Sequence, residues 1–328
     1  MDARDLVERP FTLAELEAAA RVVHAGVGPT AALAWPLLDQ RAGCEVFVKH
    51  ENHLPTGAFK VRGGLWFTHQ LARSDDRPRG VVAATRGNHG QSIAFAARRR
   101  GLEAVIVVPH GNNPDKNRAM IALGAELIES GRDFDEALGY AAELARERGL
   151  VALPSFHPLL VQGVASYALE LFRCVSRLAS IYVPIGLGSG ACGLIAARDA
   201  LGLDTEIVGV VAAGADAYAR SWEQGRLVAT ESAMTVADGM AVRAPAPAAW
   251  EILRRGLARI VRVDDAAILA AMRALIADTH NLAEGAGAAA LAALLDERER
   301  QQGRRVAVVL SGGNVDGETL RRVLGAGT

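Results

Sequence analysis

The 328 residues are 50% hydrophobic and 22% charged, with a formal net charge of −1. That balance describes a globular chain long enough for about two domains, and it offers no electrostatic reason for nucleic acid or an anionic membrane as a partner. Cys44, Cys174 and Cys192 form no CxxC pair, the opening MDARDLVERP lacks a charged-then-apolar leader, and no uncharged apolar run spans a bilayer, so the expectation is a soluble cytoplasmic protein without a disulfide frame.

Taken in chain order, TLAELEAAARVV opens with Thr12 and Glu15 at capping-box spacing and predicts a helix. EVFVKH (45–50) predicts a short strand. From there strands and helices alternate. VVAAT (81–85) leads through RGNHG into the helix QSIAFAARRR, and AVIVVP (104–109) precedes the helix PDKNRAMIAL. AELIES precedes the helix DFDEALGYAAELARER, with Asp133 as its N-cap, and VALP (151–154) starts another strand. Further on, IYVPI (181–185) runs into GLGSGACG and the helix LIAARDAL, followed by the strand EIVGVVAA. AAWEILRRGL, IVRVDD and AAILAAMRALIADTH continue as helix, strand and helix; VAVVLSGG (306–313) is the last strand and ETLRRVL the terminal helix. This alternation predicts an α/β protein with largely parallel sheets covered on both faces. Two sheets are expected rather than one of a dozen strands, with boundaries near residue 154 and around residues 55–75.

Of 36 Lys+Arg, only Lys49, Lys60 and Lys116 are lysine. A lysine kept against such a bias can do what arginine cannot, because an ammonium can lose its proton and become a nucleophile. Lys60 stands in ENHLPTGAFKVRGG, just after a Pro-Thr-Gly turn. Lys49 belongs to a strand, and Lys116 opens a helix and is expected at the surface. Three glycine loops also follow strands, where α/β sheets bind ligands. GLGSGACG (186–193) offers free N–H groups and a helix dipole to a phosphate, TRGNHGQ (85–91) has the same context for a carboxylate, and SGGN (311–314) puts Ser311 at the sheet rim. Gly188, Gly190 and Gly193 also spell GxGxxG, but the next strand ends VVAAG, with Ala212 and Ala213 where a nicotinamide site wants an acid. The nicotinamide oxidoreductase is kept as the reading from another class, beside a non-catalytic sensor on the same scaffold.

With these motifs in this order, the sequence resembles the serine/threonine dehydratases, fold-type-II pyridoxal 5'-phosphate enzymes related to serine racemase and tryptophan synthase β. The resemblance runs from GPTAALAWPLLDQ (28–40) to SGGN. It implies a large cofactor-binding domain from residues 1–68 and 155–328, and a small, mobile α/β domain from 69–154. Lys60 would be the Schiff-base lysine and Phe59 a packing neighbour of the pyridine ring. Asn88 would bond the phenolic oxygen of the cofactor, while Thr85, Arg86, Asn88 and His89 would meet the substrate, chiefly its carboxylate. Gly186, Leu187, Gly188, Ser189 and Gly190 stand where the family has a tetraglycine phosphate loop; Leu187 and Ser189 depart from it, and a serine hydroxyl can itself donate to phosphate. Ser311 would face the pyridine nitrogen, and Glu284 in AEGAGA would lie near the ring.

Arg86 departs from the serine or alanine usual at its place. That disfavours racemisation and leaves two alternatives, contact with an anionic or bulky substrate side chain or an outward orientation. Alanine stands where an occasional divalent-cation site needs an acid, so Asp216 alone predicts no structural metal. The chain ends soon after SGGN, so a regulatory domain and feedback inhibition are not expected. A neutral hydroxyl at 311 cannot hold a proton on the ring nitrogen as a carboxylate would, which favours β-elimination over transamination. The resulting expectation is a lyase taking a 3-hydroxy amino acid, by default L-threonine or L-serine, to a 2-oxo acid and ammonia. Alternatives are 3-hydroxyaspartate, phenylserine or a specialised hydroxylated amino acid. A homodimer is implied by resemblance alone.

Overall fold

The structure, a computed structural model, describes residues 9–325. The outermost parts of the predicted large domain, 1–8 and 326–328, lie outside the described residues, as does most of the opening segment inspected for a leader.

Strands β1 (Ala32–Ala34), β2 (Glu45–His50), β3 (Gly80–Ala84), β4 (Glu103–Val108), β5 (Glu126–Glu129), β6 (Val151–Ala152), β7 (Ser180–Pro184), β8 (Glu206–Ala212), β9 (Arg259–Val263) and β10 (Arg305–Leu310) form two sheets. The six-stranded sheet has the order β1-β2-β10-β7-β8-β9 and the four-stranded sheet the order β5-β4-β3-β6. Every pairing is parallel except β1 with β2. The chain is therefore α/β with two parallel sheets, as expected. The whole four-stranded sheet is built from residues 80–152 before the chain returns to the first.

Local signals account for the element starts. Thr12 accepts from the Glu15 N–H while Glu15 accepts from the Thr12 N–H, and Asp133 caps the helix Phe134–Arg148. Strand interiors are apolar throughout β3, β4 and β10, which fits burial on both faces. Sequence reading missed the helix Pro158–Cys174, which follows the two-residue strand β6. Its polar stripe, Gln162, Ser166 and Glu170, is turned inward onto Trp66 and Arg62. Most of its residues are therefore buried, and the usual contrast of apolar core face and solvated polar face does not apply.

That missed helix positions the site. It packs between the helices Lys60–Ala72 and Ser189–Ala200, with glycines at both crossings. A Cβ at Gly163 would sit 2.6 Å from the Arg62 carbonyl oxygen, and one at Gly193 would sit 3.1 Å from the Ala165 nitrogen. A buried charge cluster pins the same helices. Arg62 donates to Glu51 at 2.6 and 2.9 Å and to Glu170 at 2.5 and 3.0 Å, while Lys49 donates to Glu170 at 2.5 Å. Two carboxylates face two cations, so the group is balanced internally; removing one member would leave an uncompensated buried charge.

Candidate active site

The facing ends of the two sheets enclose a cavity of about 700 Å³. Every residue singled out from the sequence lines it: Phe59, Lys60, Thr85, Arg86, Asn88, His89, Gly186, Leu187, Gly188, Ser189, Gly190, Glu284 and Ser311. Three strand ends supply most of them, and the starts of the helices Lys60–Ala72 and Gly285–Asp296 supply Phe59, Lys60 and Glu284. β3 delivers Thr85 through His89, β7 delivers the glycine loop, and β10 delivers Ser311. The turn before Lys60 is tied to the end of β10 by a bridge between Ala58 and Gly312 and by the Phe59 N–H, which donates to the Ser311 carbonyl at 3.0 Å.

Lys60 opens its helix with its amine in the cavity. Its Nζ donates to Ser189 Oγ at 3.2 Å and lies 5.1 Å from the Phe59 ring centre. No carboxylate pairs with it among the described residues, and burial pushes the ammonium down from 10.5 to about 8. The structure thus separates the three lysines by partner: Lys49 is saturated by Glu170 and the Thr30 carbonyl, whereas Lys60 meets a single hydroxyl.

In the glycine loop, Gly188 adopts φ +98 and opens the way into the helix Ser189–Ala200. The first-turn N–H groups of that helix have no intrahelical acceptor and face the cavity. Two tyrosines hold the loop from behind. Tyr167 donates to the Gly190 carbonyl at 2.8 Å and Tyr218 to the Leu187 carbonyl at 3.0 Å. A Cβ at Gly186 would overlap the Gly239 carbonyl oxygen. Neither tyrosine carries a motif, and sequence reading found neither.

On the β3 side, Thr85 Oγ1 accepts from the Gly87 and Gly90 N–H groups at 3.0 and 3.3 Å, shaping the turn. His89 is buried, and burial together with the nearby Lys60 charge takes its imidazole down to about 3, so it is neutral. Its Nε2 has no partner among the described residues. Asn88 donates through Nδ2 to Glu284 Oε1 at 2.6 Å and accepts from Asn314 Nδ2 at 2.8 Å. Burial raises the Glu284 carboxyl above the usual carboxylate range. Arg86 is exposed at the cavity rim, with no hydrogen bond or ion pair among the described residues.

The surface expectation for Lys116 is overturned. It is 8% exposed, lines the cavity and donates to Asp238 at 2.9 Å. Its partner lies 122 residues away, and no local signal announces such a pairing. Residues 238–244 close one side of the mouth, where Arg243 also pairs with Asp135. Among the described residues no cluster of His, Cys, Asp and Glu is gathered for a metal, and Asp216 is engaged by Arg220 and Arg262 at 2.7 and 3.1 Å.

The cavity thus holds donors without acceptors, the loop N–H groups and an amine with one partner, beside one imidazole nitrogen that can only accept. Such a set fits a ligand carrying a phosphate and an aldehyde together with a carboxylate-bearing one. Comparison with known proteins agrees. Residues 23–312 match the family described as pyridoxal-phosphate dependent enzyme. The chain is 36% identical over 290 residues to an L-threonine ammonia-lyase of Geobacter sulfurreducens, covering 88% of this chain and 72% of that one. It is 32% identical over 318 residues to an L-threonine ammonia-lyase of Thermotoga maritima, covering 97% and 79%. The solved structure of maize serine racemase matches with a TM-score of 0.89 at 27% identity, over 96% of this chain and 97% of that one.

Proposed function

Because this chain belongs to the pyridoxal-phosphate dependent enzymes of fold type II, in the serine/threonine dehydratase family, we propose that it is an ammonia-lyase for 3-hydroxy amino acids, with L-threonine and L-serine as its substrates. The observation that carries this reading is the Lys60 amine, desolvated, paired only with Ser189 and flanked by the glycine loop. The nicotinamide alternative has no support left, since β8 ends at Ala212 without an acid and the matching family uses a different cofactor.

In this proposal Lys60 holds the cofactor covalently through its amine. Gly186, Leu187, Gly188, Ser189 and Gly190 hold the phosphate, Asn88 the phenolic oxygen and Ser311 the ring nitrogen; Phe59 packs beside the ring and Glu284 steadies Asn88. When bound, the cofactor supplies the electron sink that makes a Cα–H bond acidic. Thr85, Asn88, His89 and the adjoining backbone N–H groups orient the substrate carboxylate, His89 through its backbone, because the neutral ring spends its one N–H on the Leu153 carbonyl. Once its amine is free, Lys60 would take the Cα proton; an amine near 8 is neutral often enough to act as that base at physiological pH. The β-hydroxyl leaves as water, its added proton balanced by the one Lys60 takes from Cα, and one water is consumed when the product breaks down to a 2-oxo acid and ammonia. Because Ser311 is neutral, it does not keep a proton on the ring, which favours elimination over amino-group transfer. Arg86 does not offer the hydroxyl that would return a proton to the second face, which favours lyase over racemase chemistry.

Residues 69–154 form the small, mobile domain in this reading. Support comes from a four-stranded sheet wholly contained in them and from a cleft closed by side-chain pairs such as Arg243 with Asp135. A homodimer fits the exposed Leu33 and Leu37 beside the edge strand β1. Free Cys44, Cys174 and Cys192 fit a cytoplasmic setting. The test is an absorbance scan with a substrate panel. The purified protein should show a band at about 410–420 nm that borohydride removes, and should release 2-oxo acid from L-threonine or L-serine. Lys60→Ala should lose both. A protein colourless even after incubation with the cofactor, or one giving no 2-oxo acid from any hydroxy amino acid, overturns the reading.

A further inference from the structure

Lys116 is left unexplained by the roles assigned above, although it is one of three lysines in an arginine-rich chain. Its aliphatic stem lies over the bare face of Gly87, where a Cβ would sit 2.8 Å from Cδ. Its ammonium reaches Asp238 at 2.9 Å. Together with Glu284, Asn314 and Asp316, these two residues wall a second, small polar cavity of about 20 Å³ behind the main one. Lys116 therefore stands at the junction of the β3 loop, the 238–240 turn and the N-terminus of the helix Gly285–Asp296.

The group most affected is Glu284. Its Oε1 accepts from Asn88 Nδ2 at 2.6 Å, and Asn88 Oδ1 accepts from Asn314, which is itself anchored by the Thr56 carbonyl at 2.8 Å. This chain of donors and acceptors has one consistent direction while Glu284 is a carboxylate. If the acid takes a proton, it can still accept through its bare oxygen or instead donate to Asn88, and donation would require the amide to turn over. The Asn88 and Asn314 nitrogens, both donors, would then face each other. Only the charged form of Glu284, which can accept but not donate, thus holds the Asn88 amide to a single orientation. Glu284 faces Lys116 on the helix Pro114–Ala122, Asp238 on the 238–240 turn, Asn88 on the helix Asn88–Arg98, and Asn314 and Asp316 beyond β10. The other cations of the main cavity are Lys60, bonded to Ser189, and Arg86 and Arg243 at its mouth. Burial raises the Glu284 carboxyl, the Lys116 charge and the Asn88 bond lower it, and Asp238 raises it.

We propose that Lys116 is a positioning residue whose ammonium keeps Glu284 a carboxylate and so fixes the Asn88 amide for the cofactor. This rests on the cofactor reading given above. Lys116→Met and Asp238→Asn distinguish it from a structural ion pair, because both break the same 2.9 Å contact yet remove charges of opposite sign. The readouts are the pH dependence of the bound-cofactor absorbance band and of kcat/KM. In Lys116→Met the acid limb of both should move up by about one pH unit, a loss of about tenfold in kcat/KM at the foot of the limb. In Asp238→Asn it should move down. Lys116→Arg, which keeps the charge, should hold the wild-type limb and carries the test if the Met variant does not fold. Shifts of the same sign in the Met and Asn variants, or no shift in either, overturn the proposal. A wild-type protein with no band at all would defeat the parent reading instead.

Discussion

Keeping the Lys60 ammonium in a cavity without a carboxylate should destabilise the cofactor-free protein, and that cost can be measured. The difference between 10.5 and about 8 corresponds to about 3 kcal/mol by which folding disfavours the protonated amine. Lys60→Met removes the charge at similar length and forfeits the 3.2 Å bond to Ser189, worth about 1 kcal/mol. The variant should therefore be more stable than wild type by about 2 kcal/mol at pH 7, raising Tm by about 4 °C. Because the folded value lies below the unfolded one, the wild-type penalty is full below pH 8. It shrinks as pH rises from 8 and is gone above about 10.5, where the amine is neutral in both states. Thermal melts of cofactor-free wild type and Lys60→Met between pH 7 and 11 should start with the variant ahead, meet at about pH 10 and end with wild type ahead by the Ser189 bond, about 1 kcal/mol. Equal melts at pH 7, or a variant still ahead at pH 11, would refute the desolvation argument. The catalytic counterpart is that lowering the value to about 8 leaves about 300-fold more free amine near neutrality than an ordinary lysine has.

Gly186→Ala should weaken cofactor binding at least about tenfold in an absorbance titration, with circular dichroism unchanged. Its Cβ would overlap the Gly239 carbonyl, backbone against backbone, and only a shift of the loop relieves the clash. Arg62→Met should cost about 3–5 kcal/mol in a urea melt, because Glu51 and Glu170 are left with Lys49 alone. Burial works against the Glu170 charge, but Arg62 and Lys49 together hold its carboxyl down to about 2. The stability this contributes is present above about pH 4.5 and is lost as pH falls toward 2, so the wild-type acid transition should move to higher pH in Arg62→Met.

What could be read in the sequence was local. A strand, a glycine turn and a helix start are encoded within a dozen residues, so the loops at 85–91, 186–193 and 311–314 were placed at strand ends, and all three line the cavity. Capping residues such as Thr12 and Asp133 marked helix starts for the same reason. Features that depend on distant partners were hidden. β10 inserts between β2 and β7, a neighbour relation no periodicity reveals. Helix Gly285–Asp296, written GAGAAALAALLD, is buried along most of its length, so its apolar residues trace no face. Lys116 looked like a surface lysine because the Asp238 that buries it comes far along the chain.

The cavity also shows why so few charged side chains are needed to hold an anion. Helices beginning at Lys60, Asn88, Ser189 and Gly285 all turn their first residues toward it. Each helix N-terminus carries roughly half a positive charge from its unpaired N–H groups. Four together approach the charge of a phosphate dianion without any guanidinium in the glycine loop. Fixed backbone dipoles lose no side-chain entropy on binding and do not reorganise when charge develops. They also explain how an amine can stay reactive beside a strong anion site. A paired carboxylate would hold Lys60 protonated, whereas a ring of N–H dipoles attracts the anion and disfavours the ammonium at once. The choice of backbone over side chains for the anion is thus what leaves Lys60 free to act as an amine.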